Sequence, residues 1–190
     1  KFLASNLDLN TTDEQGRTPL FYLVQNGAMN TDSFTYVISM GADINHVDND
    51  GNTVLLVLIK EIAELEESEG KHDEHIDNLV NMIPWLIEEN LDYNLCNADG
   101  DNPLMYATQK KNLKVVSKLL EFEVDPNYIN ERGETPLAFA AMKGKSNIDM
   151  VSLLLDYGAR PNIENENGKT IIEKLIDTEL FLRSNKKLKM

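Results

Sequence analysis

Apolar residues recur along the chain in groups with helical spacing. Leu20, Leu23 and Val24 form one such group, in which positions separated by three and four residues lie on one face of an α-helix. A polar segment follows each group, and then a second apolar group begins. This pattern predicts pairs of short amphipathic helices. The other groups are Phe34, Val37 and Ile38; Val115, Val116, Leu119 and Leu120; Leu137, Ala140 and Ala141; and Val151, Leu154 and Leu155.

Two polar elements accompany the helix pairs at equal intervals. One is a Thr-Pro-Leu-like element and the other ends in Asp-x-Asn, and both recur with spacings of 35, 49, 33 and 35 residues. A period near 33 residues is typical of stacked repeats, none of which can bury its apolar face alone. The first elements start at Thr18, Thr53, Asn102, Thr135 and Thr170. The second end at Asn10, Asn45, Asn94, Asn127 and Asn162, and the last of them is a weaker match, Arg-Pro-Asn.

The residues at the ends of each helix pair are of types that begin or end α-helices. Thr or Asn followed by Pro suits a helix N-terminus, because the side chain accepts a backbone N–H and proline needs none. Gly41, Asn90 and Gly158 suit the left-handed residue that ends a second helix. Glu123 occupies this position in a later repeat and should be strained by about 1 kcal/mol relative to glycine. Turn glycines precede each start: Gly16, Gly51, Gly100, Gly133 and Gly168.

These elements together resemble the ankyrin repeat. The segments 13–20 and 40–45 match its Asp-x-x-Gly-x-Thr-Pro-Leu turn and its Gly-Ala-Asp-x-Asn ending, and 130–137 and 157–159 match well too. The resemblance implies an all-α solenoid of stacked helix-turn-helix units with β-turn or hairpin connections. The family's histidine after Leu is missing from every copy, so we expect packing to stabilise the junctions between repeats. The residues at that position are Phe21, Leu56, Met105, Ala138 and Glu173.

The period divides the chain into a single domain, 1–190, of five repeats. Residues 1–12 look like the end of a preceding repeat, so we expect the intact protein to continue upstream. The repeats that follow are 13–47, 48–96, 97–129 and 130–164, and 165–190 form a C-terminal capping repeat.

The 49-residue interval indicates a helical insertion around 61–75 in the second repeat. We expect an extended first helix over roughly 54–69, a turn at Gly70, and one second helix that contains Ile76, Leu79, Ile83, Leu86 and Ile87. The insertion is rich in glutamate. It is interpreted first as a solvated helix extension, and alternatively as a docking element for a basic partner surface.

Charge narrows the range of partners. The formal net charge is −14 and the sequence pI is near 4.6, which argues against nucleic-acid phosphates and anionic membranes and favours a basic partner. Cys96 is the only cysteine and cannot form an intramolecular disulfide, which favours an intracellular, cytoplasmic setting, with a secreted effector as the alternative. No apolar run reaches the roughly 18 residues of a membrane span.

Candidate chemistry is sparse. The cluster at 72–75, His-Asp-Glu-His, lacks the spacing of a zinc-protease helix and is interpreted as exposed polar residues. Asp48 and Asp50 recur as turn residues and do not belong to a calcium-loop pattern. We therefore predict no catalytic residues, no metal and no cofactor.

The ankyrin resemblance implies that a partner contacts the turn tips and the exposed side of the first helices, which together form a concave surface. We expect a monomer that binds another protein with a basic surface or a Lys/Arg-rich segment. The predicted contact residues are Glu14, Gln15, Arg17, Asn49, Asp50, Asn52, Asp99, Asp101, Gln109, Lys110, Glu131, Arg132, Glu134, Met142, Lys143, Glu166 and Lys169.

Three functional classes fit such a surface. The favoured one is a protein-interaction module of a larger scaffold, regulatory or effector protein. The alternatives are an acidic inhibitor or immunity-type protein that blocks a basic enzyme, and a regulatory segment of a larger enzyme or channel.

Overall fold

The computed structural model describes residues 8–25, 31–68, 73–142 and 147–164, together with Gly168, Thr170 and Glu173. The chain divides into two compact parts, an N-terminal part Lys1–Tyr106 and a C-terminal part Ala107–Met190. The helices among the described residues are α1 Pro19–Gln25, α2 Thr31–Ser39, α3 Val54–Glu67, α4 Asp73–Val80, α5 Met82–Glu88, α6 Pro103–Gln109, α7 Leu113–Glu121, α8 Pro136–Met142 and α9 Ile148–Asp156. None of these helices is long and apolar enough to cross a membrane.

The predicted caps begin most of the first helices. The N–H of Leu56 donates to Thr53 Oγ1 at 3.3 Å, and equivalent bonds join Met105 to Asn102 and Ala138 to Thr135. Thr18 differs, since its hydroxyl is buried without a hydrogen-bond partner among the described residues. At the last of these positions Glu173 Oε2 accepts from the backbone N–H of Thr170 at 2.8 Å, and the N–H of Glu173 donates to Thr170 Oγ1. This pair is a capping box.

Left-handed residues end the second helices, as predicted. Gly41, Asn90, Glu123 and Gly158 have φ values of 97°, 64°, 61° and 87°. In each case this residue and the next donate N–H groups to carbonyls of the last helical turn, the arrangement of a Schellman motif. The prediction that Glu123 takes a conformation suited to glycine is therefore confirmed. Lys111, after α6, has the same conformation (φ 63°), which the sequence analysis missed.

In the N-terminal part, the first helices pack side by side and the insertion adds to the core. α1 packs against α3, and Leu20, Val24 and Leu58 are fully buried. α3 has 14 residues where α1 and α6 have seven, and its extra turns bury Ile62. α4 packs against α3 and buries Leu79. The insertion thus begins as a helix pair with an apolar interior, and those of its glutamates that the structure describes are half-buried or exposed.

The predicted single second helix of this repeat is wrong, because two helices replace it. α4 ends at Val80 and α5 begins at Met82. Pro84 explains the break: it has no N–H to donate to the carbonyl of Val80, and its ring clashes with that carbonyl in a continuous helix. The proline was visible in the sequence. Gly70, the predicted turn residue, lies outside the described residues.

Trp85, on α5, contributes to packing. Its ring contacts that of Phe34 edge to face, with centroids 5.3 Å apart. Such aromatic contacts stabilise a core beyond the area that they bury.

The C-terminal part has a core of small and branched apolar side chains. α9 packs against α7 and α8. Val116, Leu119, Ala140 and Leu154 are fully buried. Most of the predicted capping repeat 165–190 lies outside the described residues.

Asparagine side chains join neighbouring helix pairs, and they explain the Asp-x-Asn element. Asn45 Nδ2 donates to the carbonyl of Asn90 at 3.2 Å, and Asn45 Oδ1 accepts the N–H of Asp92 at 2.6 Å. Asp43 Oδ1 accepts the N–H of Asn45 at 2.9 Å and so orients this residue. Asn10 bridges to Gly41 and Asp43 in the same way, and Asn127 bridges to Gly158 and Arg160.

His46 adds a second polar link between repeats. Its Nε2 lies 2.8 Å from the carbonyl oxygen of Gly16, and its ring contacts Phe21 edge to face. Packing is therefore not the only interaction that stabilises the junctions. Hydrogen bonds from Asn10, Asn45, Asn127 and His46 contribute at positions other than the missing histidine.

We expect Glu123→Gly to stabilise the protein by up to about 1 kcal/mol, because glycine takes a left-handed conformation without a Cβ penalty. The free energy of unfolding from denaturant titration measures this. Glu123→Ala is the matched control, since it removes the same carboxylate but keeps the Cβ. Equal stabilisation by both variants would contradict the strain argument.

We expect Asn45→Ala to destabilise the N-terminal part by about 1–3 kcal/mol, because it leaves the Asn90 carbonyl and the Asp92 N–H without their partner. Denaturant titration measures the loss, and hydrogen exchange at the Asp92 amide locates it. Asn78→Ala, at an exposed position on α4, is the control. A loss no larger than that of the control would show that the bridge is unimportant.

Candidate functional site

Four turns that precede first helices lie wholly within the described residues, and all four are built in the same way. Their first residues are Asp13, Asp48, Asn97 and Asn130. In the second turn, Asp48 Oδ1 accepts the N–H groups of Asp50 at 3.0 Å and Asn52 at 2.8 Å. The backbone closes the turn through Asp48 N–H to Asn52 carbonyl at 2.9 Å, with Gly51 at φ 74°. Because side chain and backbone both restrain the turn, each tip has a fixed shape.

From the sequence, the glycines and the recurrence of Asp48 as a turn residue were recognised. The role of the four first side chains as acceptors of two backbone N–H groups was not predicted. The signal was present, since residues 13, 48, 97 and 130 follow the same intervals as the other elements.

Neighbouring tips of the N-terminal part are joined by backbone hydrogen bonds. The N–H of Asn49 donates to the carbonyl of Gln15 at 3.0 Å, and the N–H of Ala98 donates to that of Asp50 at 2.8 Å. A Cβ on Gly16 would lie 2.9 Å from the Asn49 nitrogen, so this turn needs glycine for the close approach as well as for φ. The three tips therefore form one continuous edge, which we call the tip row: residues 13–17, 48–52 and 97–101.

Within the tip row, the predicted contact residues separate into exposed and buried ones. Glu14, Gln15, Asn49, Asp50 and Asp99 are exposed.

The residues just before each helix cap lie at the base of the turn. Asn52 and Asp101 are only 1% and 2% exposed, which corrects the expectation that they project from the tips. Asn52 donates from Nδ2 to the Asp48 carboxylate at 2.9 Å. Arg17 is half-buried, and its Nε is 3.4 Å from Asp48 Oδ2. These residues are buried or half-buried because the chain here returns from the tip to the helix. Asn52 and Arg17 stabilise the turn through the Asp48 carboxylate.

In the C-terminal part, the tip residues have mixed charge. Glu131 and Arg132 are exposed, while Glu134 is half-buried and accepts from Arg132 Nε at 3.1 Å. Lys110 and Met142 are exposed at helix ends, and Gln109 is half-buried. The predicted contacts Lys143, Glu166 and Lys169 lie outside the described residues.

Lys60 is a surface residue that the sequence analysis missed. It is the seventh residue of α3, as Gln25 is of α1 and Gln109 of α6. Because α3 continues for two more turns, the residue appears mid-helix in the sequence and does not look like a helix end. Lys60 Nζ donates to Asn52 Oδ1 at 2.7 Å and lies 5.6 Å from the centre of the Tyr106 ring.

The first tip contains a tyrosine–carboxylate hydrogen bond. The hydroxyl of Tyr22, on α1, donates to Asp13 Oδ2. This bond is the main cause that lowers the pKa of Asp13, and the backbone N–H of Arg17 lowers it further. The same bond raises the pKa of Tyr22, because the neighbouring carboxylate disfavours the phenolate.

Away from the tips, one carboxylate of the insertion has an altered pKa. Burial raises the pKa of Glu61, and the neighbouring Glu64 raises it further, while His75 opposes the change.

The described residues contain no group of three His, Cys, Asp or Glu side chains arranged to hold a metal ion. His72, part of the cluster noted in the sequence, lies outside them. Cys96 is half-buried, and its thiol donates to the Asn94 carbonyl.

Comparison with known families agrees with this geometry. A family model described as ankyrin repeats matches residues 74–165 in three copies. This segment therefore belongs to the ankyrin-repeat family. The ankyrin match begins within α4, yet the turns at Asp13 and Asp48, outside it, have the same hydrogen bonds as those at Asn97 and Asn130. Ankyrin repeats mediate protein–protein interaction, and their domains are typically non-catalytic.

We expect Tyr22→Phe to raise the pKa of Asp13 towards its ordinary value, since the variant lacks the hydroxyl that donates to it. A lowered folded-state pKa stabilises the protein above the ordinary aspartate pKa, and this contribution is lost as pH falls through the lowered value. The variant should therefore be less stable at neutral pH and lose less stability on acidification.

Carbon NMR of the Asp13 carboxyl and denaturant titrations at several pH values measure these effects. Tyr36→Phe, which alters an exposed tyrosine on α2, is the control. An unchanged Asp13 pKa in Tyr22→Phe would contradict the assignment.

Proposed function

We propose that this ankyrin-repeat chain is a protein-interaction module and that the tip row of its N-terminal part binds a basic segment of a partner protein. The observation that carries the proposal is the pair of backbone hydrogen bonds between successive tips, Asn49 to Gln15 and Ala98 to Asp50. These bonds hold the exposed carboxylates of Glu14, Asp50 and Asp99 in succession on restrained turns. A preorganised row of charges loses little conformational entropy on binding.

Electrostatics favours a partner of opposite charge. Across 190 residues the net charge is −14, which attracts a basic protein during diffusional encounter and repels nucleic acids. In the described residues of the N-terminal part, the basic side chains are Arg17 and Lys60. Arg17 pairs with Asp48 and Lys60 bonds to Asn52, so both lie at the base of the turns.

The C-terminal part is proposed to contribute contacts of mixed polarity. Glu131 and Arg132 at its tip, with Gln109, Lys110 and Met142 at helix ends, fit a less strongly basic portion of the partner. Lys143, Glu166 and Lys169 remain predicted contacts.

In this proposal the chain is a non-catalytic, monomeric, intracellular part of a larger scaffold, regulatory or effector protein. An acidic inhibitor of a basic enzyme would use the same row of charges. The inhibitor hypothesis requires tight binding to one protein and strong weakening by salt.

The proposal predicts that reversing three exposed tip charges, Glu14→Lys, Asp50→Lys and Asp99→Lys, weakens binding of basic peptides by at least about tenfold, because attraction becomes repulsion at each tip. Asp101 and Glu134 are left unchanged, since they lie at the base of their turns. The ligands are Lys/Arg-rich peptides selected from a displayed random library on the wild-type chain, and fluorescence anisotropy measures their affinity.

The matched control reverses Glu64, Glu74 and Glu88, exposed carboxylates of α3, α4 and α5, and changes the net charge equally. Weakening by the tip variant alone supports the tip row. Equal weakening by both would mean that only net charge matters, and weakening by the control alone would favour the insertion as the docking element. Selection of peptides without Lys or Arg would reject a basic partner.

A further inference from the structure

Lys60 has unusual surroundings for a surface lysine. Its side chain runs back along α3 to the base of the second turn, where Nζ donates to Asn52 Oδ1 at 2.7 Å. On the other side the ammonium lies 5.6 Å from the centre of the Tyr106 ring, at the first helix of the next repeat. The residue is half-buried between these contacts, so its position is restrained.

The ammonium of Lys60 pairs with no carboxylate among the described residues, although the N-terminal part is strongly acidic. The nearest acidic group in its hydrogen-bond network, Asp48, already pairs with Arg17 at 3.4 Å. A lysine ammonium has three donors, and the described contacts use one of them. Lys60 therefore keeps donor capacity for a group from outside this part of the chain.

The position of Lys60 relates it to the proposed binding surface. It corresponds in register to Gln25 and Gln109, the last residues of two other first helices. It is linked through Asn52 and Asp48 to the second tip, whose exposed residues are Asn49 and Asp50. A peptide that lies on the tip row would thus pass close to the ammonium.

The surroundings of the Lys60 ammonium favour a carboxylate as its ligand. A carboxylate would form a charge-assisted hydrogen bond with the ammonium, in a half-buried position where water screens it less than at the tips. Asn52 and the Tyr106 ring already hold the lysine, which lowers the entropic cost of the new bond. A free anion would be repelled by Asp50 and Asp99, so the carboxylate must belong to a segment that also carries positive charges.

We propose that Lys60, held by Asn52 and Tyr106, is a recognition point for an aspartate or glutamate of the partner segment. The segment would then carry one acidic residue at a set position among its basic ones. This inference rests on the proposed function, because the basic residues of the segment bind the tip row. Lys60 would supply selectivity against purely basic sequences.

The experiment uses the 190-residue chain and the peptides selected on it from a displayed random library. Among Lys/Arg-rich peptides we expect an acidic residue at one fixed position. Changing that residue to glutamine or asparagine should weaken binding to the wild-type chain about tenfold, as measured by fluorescence anisotropy. Lys60→Met keeps the aliphatic stem but not the charge, and should reduce this difference to less than about twofold.

The matched control is Lys118→Met, which removes an equal charge from α7 in the C-terminal part, where Lys118 pairs with Glu121. It should leave the tenfold preference intact. If Lys60 only stabilised the turn, its replacement would weaken acidic and amide peptides equally, and the preference would persist. That result would overturn the inference.

The failures of the two proposals can be distinguished. Basic peptides without a fixed acidic residue would overturn the role of Lys60 and leave the tip row as a binding site. Selected peptides that lack Lys and Arg, or no selected peptides at all, would count against the proposed function and with it against the inference.

Discussion

Side-chain amides join neighbouring repeats at three junctions among the described residues, and the positions of the turns depend on them. The Asn45 amide donates to the carbonyl of the left-handed residue that ends the next second helix, and accepts the N–H of the residue two positions later. Asn10 and Asn127 make the same two hydrogen bonds in their repeats. An amide can do this because it carries a donor and an acceptor on adjacent atoms. Each bridge fixes one helix end relative to the next, and in the N-terminal part the turns that follow are joined by backbone hydrogen bonds.

The positions of the tips follow from these bridges, and hydrogen bonds within each turn restrain its shape further. Each begins with Asp or Asn, whose side chain satisfies two backbone N–H groups that would otherwise need water. The outer carboxylates can therefore stay exposed without loosening the turn. Structural and exposed carboxylates alternate along the sequence: Asp48 points inward to Arg17 and Asn52, whereas Asp50, two residues later, faces solvent.

Local features of the fold were predictable from the sequence, whereas features set by neighbouring repeats were not. The left-handed conformations of Asn90 and Glu123 were predicted because these residues occupy the same position in the repeat as Gly41 and Gly158. The break before Met82 could have been predicted from Pro84. The burial of Asp101 and the exposure of Asp99 could not, because both are acidic turn residues and only the packed turn distinguishes them. Lys60 was missed because its contacts with Asn52 and Tyr106 lie on separate elements.

The doubled length of α3 has a consequence for how such a chain can change. The extra residues extend a helix away from the tips, and the hydrogen bonds on either side of the second turn match those of the shorter repeats. Helix length is thus free to vary while the turn is not. Insertions or recombination at the far ends of the helices can enlarge a repeat, or attach new sequence to it, without changing the positions of the turns relative to one another.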